Sequence, residues 1–179
     1  MTRKNMVFIA TSLDGFIADK NGGVDWLHSI PNPDNIDMRY CEFTSEIDAL
    51  VIGRISYETV CGFDIEWPYN KPVFVLSNTL TSIPEKLKDK VFLKKGPLKE
   101  ILSEIHTLGY NNLNIDGGQT IQSFLKEDLI DEMTITIIPY LLGGGIPLFG
   151  ELQNRLGFKC VETQIYLDQV VQNRFIRNR

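Results

Sequence analysis

Three short stretches of this 179-residue chain carry side chains suited to holding a phosphate. The first is Val51-Ile-Gly-Arg-Ile-Ser56. Gly53 ends an apolar run, and Arg54, Ile55 and Ser56 open a segment of helical character. Unpaired N–H groups at a helix start attract anions. A guanidinium adds a permanent charge with two parallel donors, and Ser56 adds a hydroxyl. The second stretch is Val75-Leu-Ser-Asn-Thr79, where Ser77 and Asn78 leave another apolar run. Such residues either cap a turn or hydrogen-bond a phosphate or ribose. The third is Ile115-Asp-Gly-Gly-Gln-Thr120. Without Cβ atoms, Gly117 and Gly118 allow a pyrophosphate to approach backbone amides, and Asp116, Gln119 and Thr120 flank them. This stretch fits neither G-x-G-x-x-G nor G-x-x-x-x-G-K-[ST]. Taken alone it is equally a tight crossover, and Arg54 alone reads first as a solvated side chain at a helix start.

The value of the three stretches lies in their common position. Apolar strand-like runs at 6–10, 49–52, 72–76, 91–93, 113–115 and 133–138 alternate with helical patterns at 37–46, 55–60, 97–108 and 120–127. The helix at 97–108 is the clearest, with Leu98, Ile101, Leu102 and Ile105 on one face. A short extended piece at 16–18 follows the first strand. Two further runs, 160–167 and 169–176, turn on each other near Asp168. The pattern predicts one α/β domain over 1–179, with a mainly parallel central sheet flanked by helices and an antiparallel C-terminal edge. All three stretches then fall at the carboxyl ends of parallel strands, on the face where open α/β sheets bind ligands. Leu141-Leu-Gly-Gly-Gly-Ile-Pro147 reads as a flexible loop.

Composition narrows the partners. A net charge of -5 and a pI near 5.1 argue against nucleic acid. Cys41, Cys61 and Cys160 are widely spaced, and only His28 and His106 could join them, so no metal site is expected. They read as reduced structural thiols. The basic Met1-to-Asn5 start leads into an apolar run too short for a signal segment, and no stretch approaches the ~18 apolar residues of a membrane span. A cytoplasmic location is expected.

With these residues in place, the chain resembles the dihydrofolate reductase superfamily, and most closely the reductase domain of bacterial riboflavin biosynthesis, the RibD C-terminal type. The resemblance runs from about Val7 to Phe175. It rests on Ala10-Thr-Ser-Leu-Asp-Gly-Phe-Ile-Ala18, Val24-Asp-Trp-Leu27, Ile47 to Glu58, Pro72 to Ser77, Ile115 to Gly118, Leu129-Ile-Asp-Glu132 and Pro139 to Phe149. It implies a dihydrofolate-reductase-like fold and NADPH as cofactor. It places Gly53, Arg54, Ile55 and Ser56 at the adenosine phosphates, and Ser77 and Asn78 near the 2′-phosphate. Asp116, Gly117, Gly118, Gln119 and Thr120 match the pyrophosphate turn, and Ala10 and Ile17 the nicotinamide. Asp116 stands where many folate reductases have glycine, so its carboxylate must turn away from the phosphates.

Hydride transfer also needs a proton source beside the acceptor carbon. In folate reductases an acidic residue follows Leu-Pro-Trp. Here Val24-Asp-Trp-Leu27 stands instead, no carboxylate falls at that position, and the proton donor is unassigned. The riboflavin-type branch lacks that acid as well, but no second basic cluster is evident here for a substrate phosphate. Asp14, Trp26, Tyr40 and Phe43 are the candidates for a small heterocyclic substrate, pterin-like or ribosylaminopyrimidine-like. Tyr40 is as readily core packing, and Trp26 and Phe43 more so. The expected function is an NADPH-dependent reductase. The alternatives are genuine dihydrofolate reduction and a non-catalytic NADP(H)-binding protein. A homodimer is plausible through the 141–149 loop and the last strands.

Overall fold

The computed structural model describes residues 3–179; Met1 and Thr2, the head of the N-terminal stretch, lie outside them. The strands are β1 (Lys4–Ser12), β2 (Phe16–Ala18), β3 (Ala49–Gly53), β4 (Val73–Leu76), β5 (Val91–Lys94), β6 (Asn112–Asp116), β7 (Glu132–Ile138), β8 (Ile146–Pro147), β9 (Phe158–Tyr166) and β10 (Val170–Arg177). The α-helices are α1 (Tyr40–Glu46), α2 (Arg54–Cys61), α3 (Leu98–Thr107) and α4 (Gly118–Lys126).

Eight strands form one sheet in the order β5-β4-β3-β6-β1-β7-β10-β9. The pairs from β5 through β7 are parallel, and β10 joins β7 and β9 antiparallel. The central strands are apolar on both faces because helices cover both. Strand alternation divides those side chains between two cores. Val7, Val51, Phe74, Leu113 and Ile115 pack against Ile101, Leu102 and Ile105 of α3 and Ile121 and Phe124 of α4. Met6, Leu50, Ile52, Val73 and Val75 pack against Phe43 of α1 and Tyr57 of α2. This is the mainly parallel sheet with an antiparallel C-terminal edge that the pattern implied.

Three local expectations need correction. The helical pattern from residue 37 becomes helix only at Tyr40, because Met38 (φ 50°) and Arg39 (φ 69°) hold left-handed backbone that a helix cannot include. The 141–147 segment is not a free loop. It contains β8, which pairs antiparallel with β2, and it is tied to the end of β1. The three cysteines are free, but all are exposed rather than interior.

A candidate cofactor and substrate cleft

Sheet register brings the three phosphate-type turns side by side. Gly53 stands opposite Leu76, and Ile52 opposite Asp116, so β4, β3 and β6 end at one level. Each turn leads away with its polar residues on the same edge. They also touch. A Cβ at Gly53 would lie 2.7 Å from Thr120 Oγ1, and one at Gly117 would run into Ser56 Oγ. Gly117 is the N-cap of α4 at φ 92°, a conformation that glycine alone adopts without strain. A Cβ at Gly118 would press on Ile17 Cδ1 at 2.8 Å. Arg54, Ser56, Gly117, Gly118, Thr120 and Ile17 therefore form one surface. Ile55, Asn78 and Gln119 lie exposed at its margin.

The charges at this surface are already engaged. Arg54 Nη1 is 2.6 Å from Glu58 Oε2, one helical turn on. Lys94, opposite Leu76 in the sheet, has its ammonium 2.6 Å from Glu104. Ser77 Oγ accepts from the N–H of Leu80 at 2.8 Å and of Thr79 at 3.2 Å, so it caps its own turn.

Next to these turns the sheet opens. The β1–β6 ladder stops at Met6 opposite Asn114, although β1 continues to Ser12 and β6 to Asp116. Beyond that point β1 pairs only with β7, through Ser12 opposite Ile138. The parting strands leave a slot bordered by Ala10 on one side and Asp116 on the other. Asn114 and Asp116 share the α1 face of β6, opposite Leu113 and Ile115. Asp116 thus leans away from the α4 turn, keeping one bond from the N–H of Gly117 to its Oδ1 at 2.8 Å. The residue retains some surface, but the carboxyl group sits deep, and burial pushes its pKa up. Its charge in turn adds to burial in raising the phenols of Tyr40 and Tyr69, the latter to about 12. Asn114 is 7% exposed, and its Oδ1 has no partner among the described residues.

Of the four substrate-side candidates, Tyr40 is the one displayed at the slot. It is 48% exposed and meets Phe8 edge-on at 5.8 Å. Phe43 is buried against Phe8 at 4.8 Å and serves packing. Trp26 packs with Ile30, Ile138 and Val170 at the far end of β7. Asp14 accepts hydrogen bonds from Ser12 Oγ and from the N–H groups of Leu142 and Gly143. A cleft of about 100 Å³ under α1 is lined by Arg39, Arg174, Glu42, Glu132 and Glu162. Arg39 pairs with Glu42 and Glu162, and Arg174 with Glu132, so both guanidinium groups are neutralised. Among the described residues, no group of acidic, cysteine or histidine side chains could hold a metal ion, and no helix is long and apolar enough to cross a membrane.

The RibD C-terminal domain model matches residues 3–172. The chain belongs to the RibD C-terminal domain family. Bacillus subtilis YwjB is 35% identical over 99% of this chain and 99% of its own length. A crystal structure from Shewanella sp. PV-4, assigned provisionally to riboflavin biosynthesis, is 55% identical with a TM-score of 0.95, over 98% of this chain and 99% of that one. Dihydrofolate reductase from Enterococcus faecalis, solved with NADP(H), has a TM-score of 0.66 at 17% identity, over 98% of this chain and 97% of that one. The last likeness shows the fold alone: this RibD-type domain is dihydrofolate-reductase-like.

Sequence reasoning left out two residues of the RibD-type cleft. Tyr69 lies in a loop with no periodicity to orient it. Asn114 did carry a signal, being an amide inside an otherwise apolar strand.

Proposed function

We propose that this RibD-type domain is an NADPH-dependent reductase that delivers hydride to a small heterocycle, pterin-like or ribosylaminopyrimidine-like. The observation carrying the reading is the slot where β1 and β6 part, directly beside three polar turns at the ends of β4, β3 and β6. The residues fit the cofactor. The start of α4 at Gly118 offers backbone N–H groups, Gly117 giving its own to Asp116, Arg54 offers a guanidinium, and the slot beside Ala10 and Ile17 accepts a flat ring. NADPH, when bound, supplies the hydride.

The chain's own residues do the rest. Ala10 and Ile17 hold the nicotinamide flat. Arg54 and Ser56 bind phosphate oxygens, Arg54 sharing Glu58, while Ser77 and Asn78 shape the adenosine end. The Ser77 hydroxyl still has its proton to donate to a 2′-phosphate, and Lys94 would share Glu104 with it. Tyr40 and Tyr69 wall the substrate side and exclude water, and Asn114 orients a polar ring edge. Asp116 fills the vacant role of proton donor. Its raised pKa keeps the proton nearer neutrality than an ordinary carboxyl would, and a general acid works best with a pKa near the working pH. Activity then falls as pH rises through the Asp116 value. The exposed Leu141 and Phe149, with Val161 and Ile165 on edge strand β9, support a homodimer.

The test is loss of NADPH absorbance against a panel of dihydropterins, dihydrofolate and ribosylaminopyrimidines. Turnover that is lost in Asp116→Asn, with NADPH affinity kept, supports the reading. Tight NADPH binding with no turnover on any of them would favour a non-catalytic NADP(H)-binding protein.

A further inference from the structure

The carboxylate of Asp14 was a substrate candidate by sequence, but its geometry gives it other work. Ser12 Oγ donates to Oδ1 at 2.6 Å, the Leu142 N–H to Oδ1 at 3.1 Å, and the Gly143 N–H to Oδ2 at 2.8 Å. Ser12 Oγ meanwhile accepts from the N–H of Phe16 at 2.9 Å. Two backbone bonds flank the carboxylate, Leu13 N–H to Tyr140 O at 2.8 Å and Leu148 N–H to Gly15 O at 3.0 Å. One side chain thus joins the end of β1 to a segment nearly 130 residues away.

That segment leads straight to the cofactor surface. Beyond Gly143, β8 pairs with β2, with Ala18 opposite Ile146 and Phe16 opposite Pro147. Gly145 lies so close to Ala18 O that a Cβ there would overlap it. Gln122 of α4 donates to Pro147 O at 2.9 Å. Gly118 lies against Ile17 on one side and Ile146 on the other. The β2–β8 ribbon is therefore pinned at one end by Asp14 and at the other by α4, with Ile17 between the pins.

We infer that Asp14 is a positioning residue, a latch that holds the β2–β8 ribbon, and with it Ile17, in place against the nicotinamide half of the cofactor. This rests on the cofactor reading above. Asp14 touches neither cofactor nor substrate; it acts through Ile17. The adenosine end lies on β4, β3 and the start of α2, which the ribbon does not touch, and at α4 the ribbon is held by Gln122 whether or not Asp14 is present. Charged–neutral hydrogen bonds are the stronger kind. The Ser12 bond leads in holding the Asp14 pKa below the ordinary carboxylate range, and the two amides reinforce it. The latch is thereby ionised through neutral pH.

Two probes separate the halves: NADPH, and 2′-phospho-ADP-ribose, which lacks the nicotinamide. Titration calorimetry with wild type, Asp14→Ala, Asp14→Asn and Ser12→Ala is the experiment. Asp14→Ala is expected to weaken NADPH at least fivefold while 2′-phospho-ADP-ribose stays within twofold. Asp14→Asn, which keeps Oδ1 but sets an NH2 against the Gly143 N–H, and Ser12→Ala fall between. They also carry the test if Asp14→Ala fails to fold. Equal weakening of both probes would make Asp14 a general fold residue and overturn the assignment. So would no weakening of either, with wild type binding both. Wild type that binds neither probe overturns the cofactor reading itself, and the latch with it.

Discussion

The side of the cleft proposed for adenosine and the side proposed for substrate are built on different principles. On the adenosine side each element is local: a strand ends, the next few residues turn, and a helix or loop begins. Gly53-Arg54, Ser77-Asn78 and Gly117-Gly118 each hold the side chains of their proposed role within a few positions, and the parallel register merely lines them up. On the substrate side almost nothing is local. The slot exists because β1 changes neighbours partway along, Tyr40 is presented by left-handed backbone at Met38 and Arg39, and the ribbon over Ile17 depends on Asp14 meeting Gly143. The comparison implies that the adenosine side tolerates disturbance of the core, while the substrate side is coupled to it.

The largest effect tests that coupling. Phe43→Ala removes the ring that packs beneath Phe8 and should cost about 3–5 kcal/mol of stability in urea unfolding. Where the variant still folds, substrate turnover should suffer more than 2′-phospho-ADP-ribose binding. Equal losses would break the distinction between the sides. Next, Arg54→Ala should weaken NADPH by about 1–3 kcal/mol in a fluorescence titration, the range for hydrogen bonds to charged groups. An unchanged affinity would remove Arg54 from the adenosine side.

Asp116→Asn sharpens the boundary, since this residue adjoins both sides. Its folded pKa is raised, so the fold favours the protonated carboxyl. That preference is fully satisfied below the ordinary carboxylate value and turns into a cost as pH rises toward the folded value. The asparagine variant should therefore melt higher than wild type at pH 7, with the gain vanishing in acid. A gain that persisted in acid would assign the change to packing. The smallest effect belongs to Glu58→Gln. It frees Arg54 from its i,i+4 partner, and such pairs are worth about 0.2–0.5 kcal/mol. NADPH should bind tighter by about that much; weaker binding would mean that Glu58 orients Arg54 rather than competing for it.

The two sides were also unequally legible. The strands announced themselves as apolar runs, and the crossover helix at 98–107 by its stripe of Leu98, Ile101, Leu102 and Ile105. The strand-end turns needed only glycine, arginine and serine in the right places. Asp116 was legible as a difficulty, a carboxylate next to a phosphate-type turn, and strand alternation resolves it by pointing the side chain to the other face. Asp14 was legible as a polar turn residue and a substrate-side candidate but not as a latch, because two of its partners are distant backbone N–H groups that no side-chain pattern reveals. Tyr40 and Phe43 stand i,i+3 on one helix face, so the pattern only leaned toward packing for Phe43, whereas the helix start at Tyr40 leaves that ring exposed and Phe43 buried. The 141–147 segment looked mobile because its glycines suggest freedom, whereas Gly145 is there for close approach to Ala18 of β2.

A crystal structure with NADPH tests the central claim most directly. The account predicts the pyrophosphate on the N–H groups that open α4 at Gly118, Arg54 on a phosphate oxygen, and the nicotinamide in the slot between β1 and β6 against Ala10 and Ile17, with Asp116 turned toward Tyr40 and keeping the Gly117 N–H. A cofactor seated elsewhere, or Asp116 turned onto the phosphates, would contradict it.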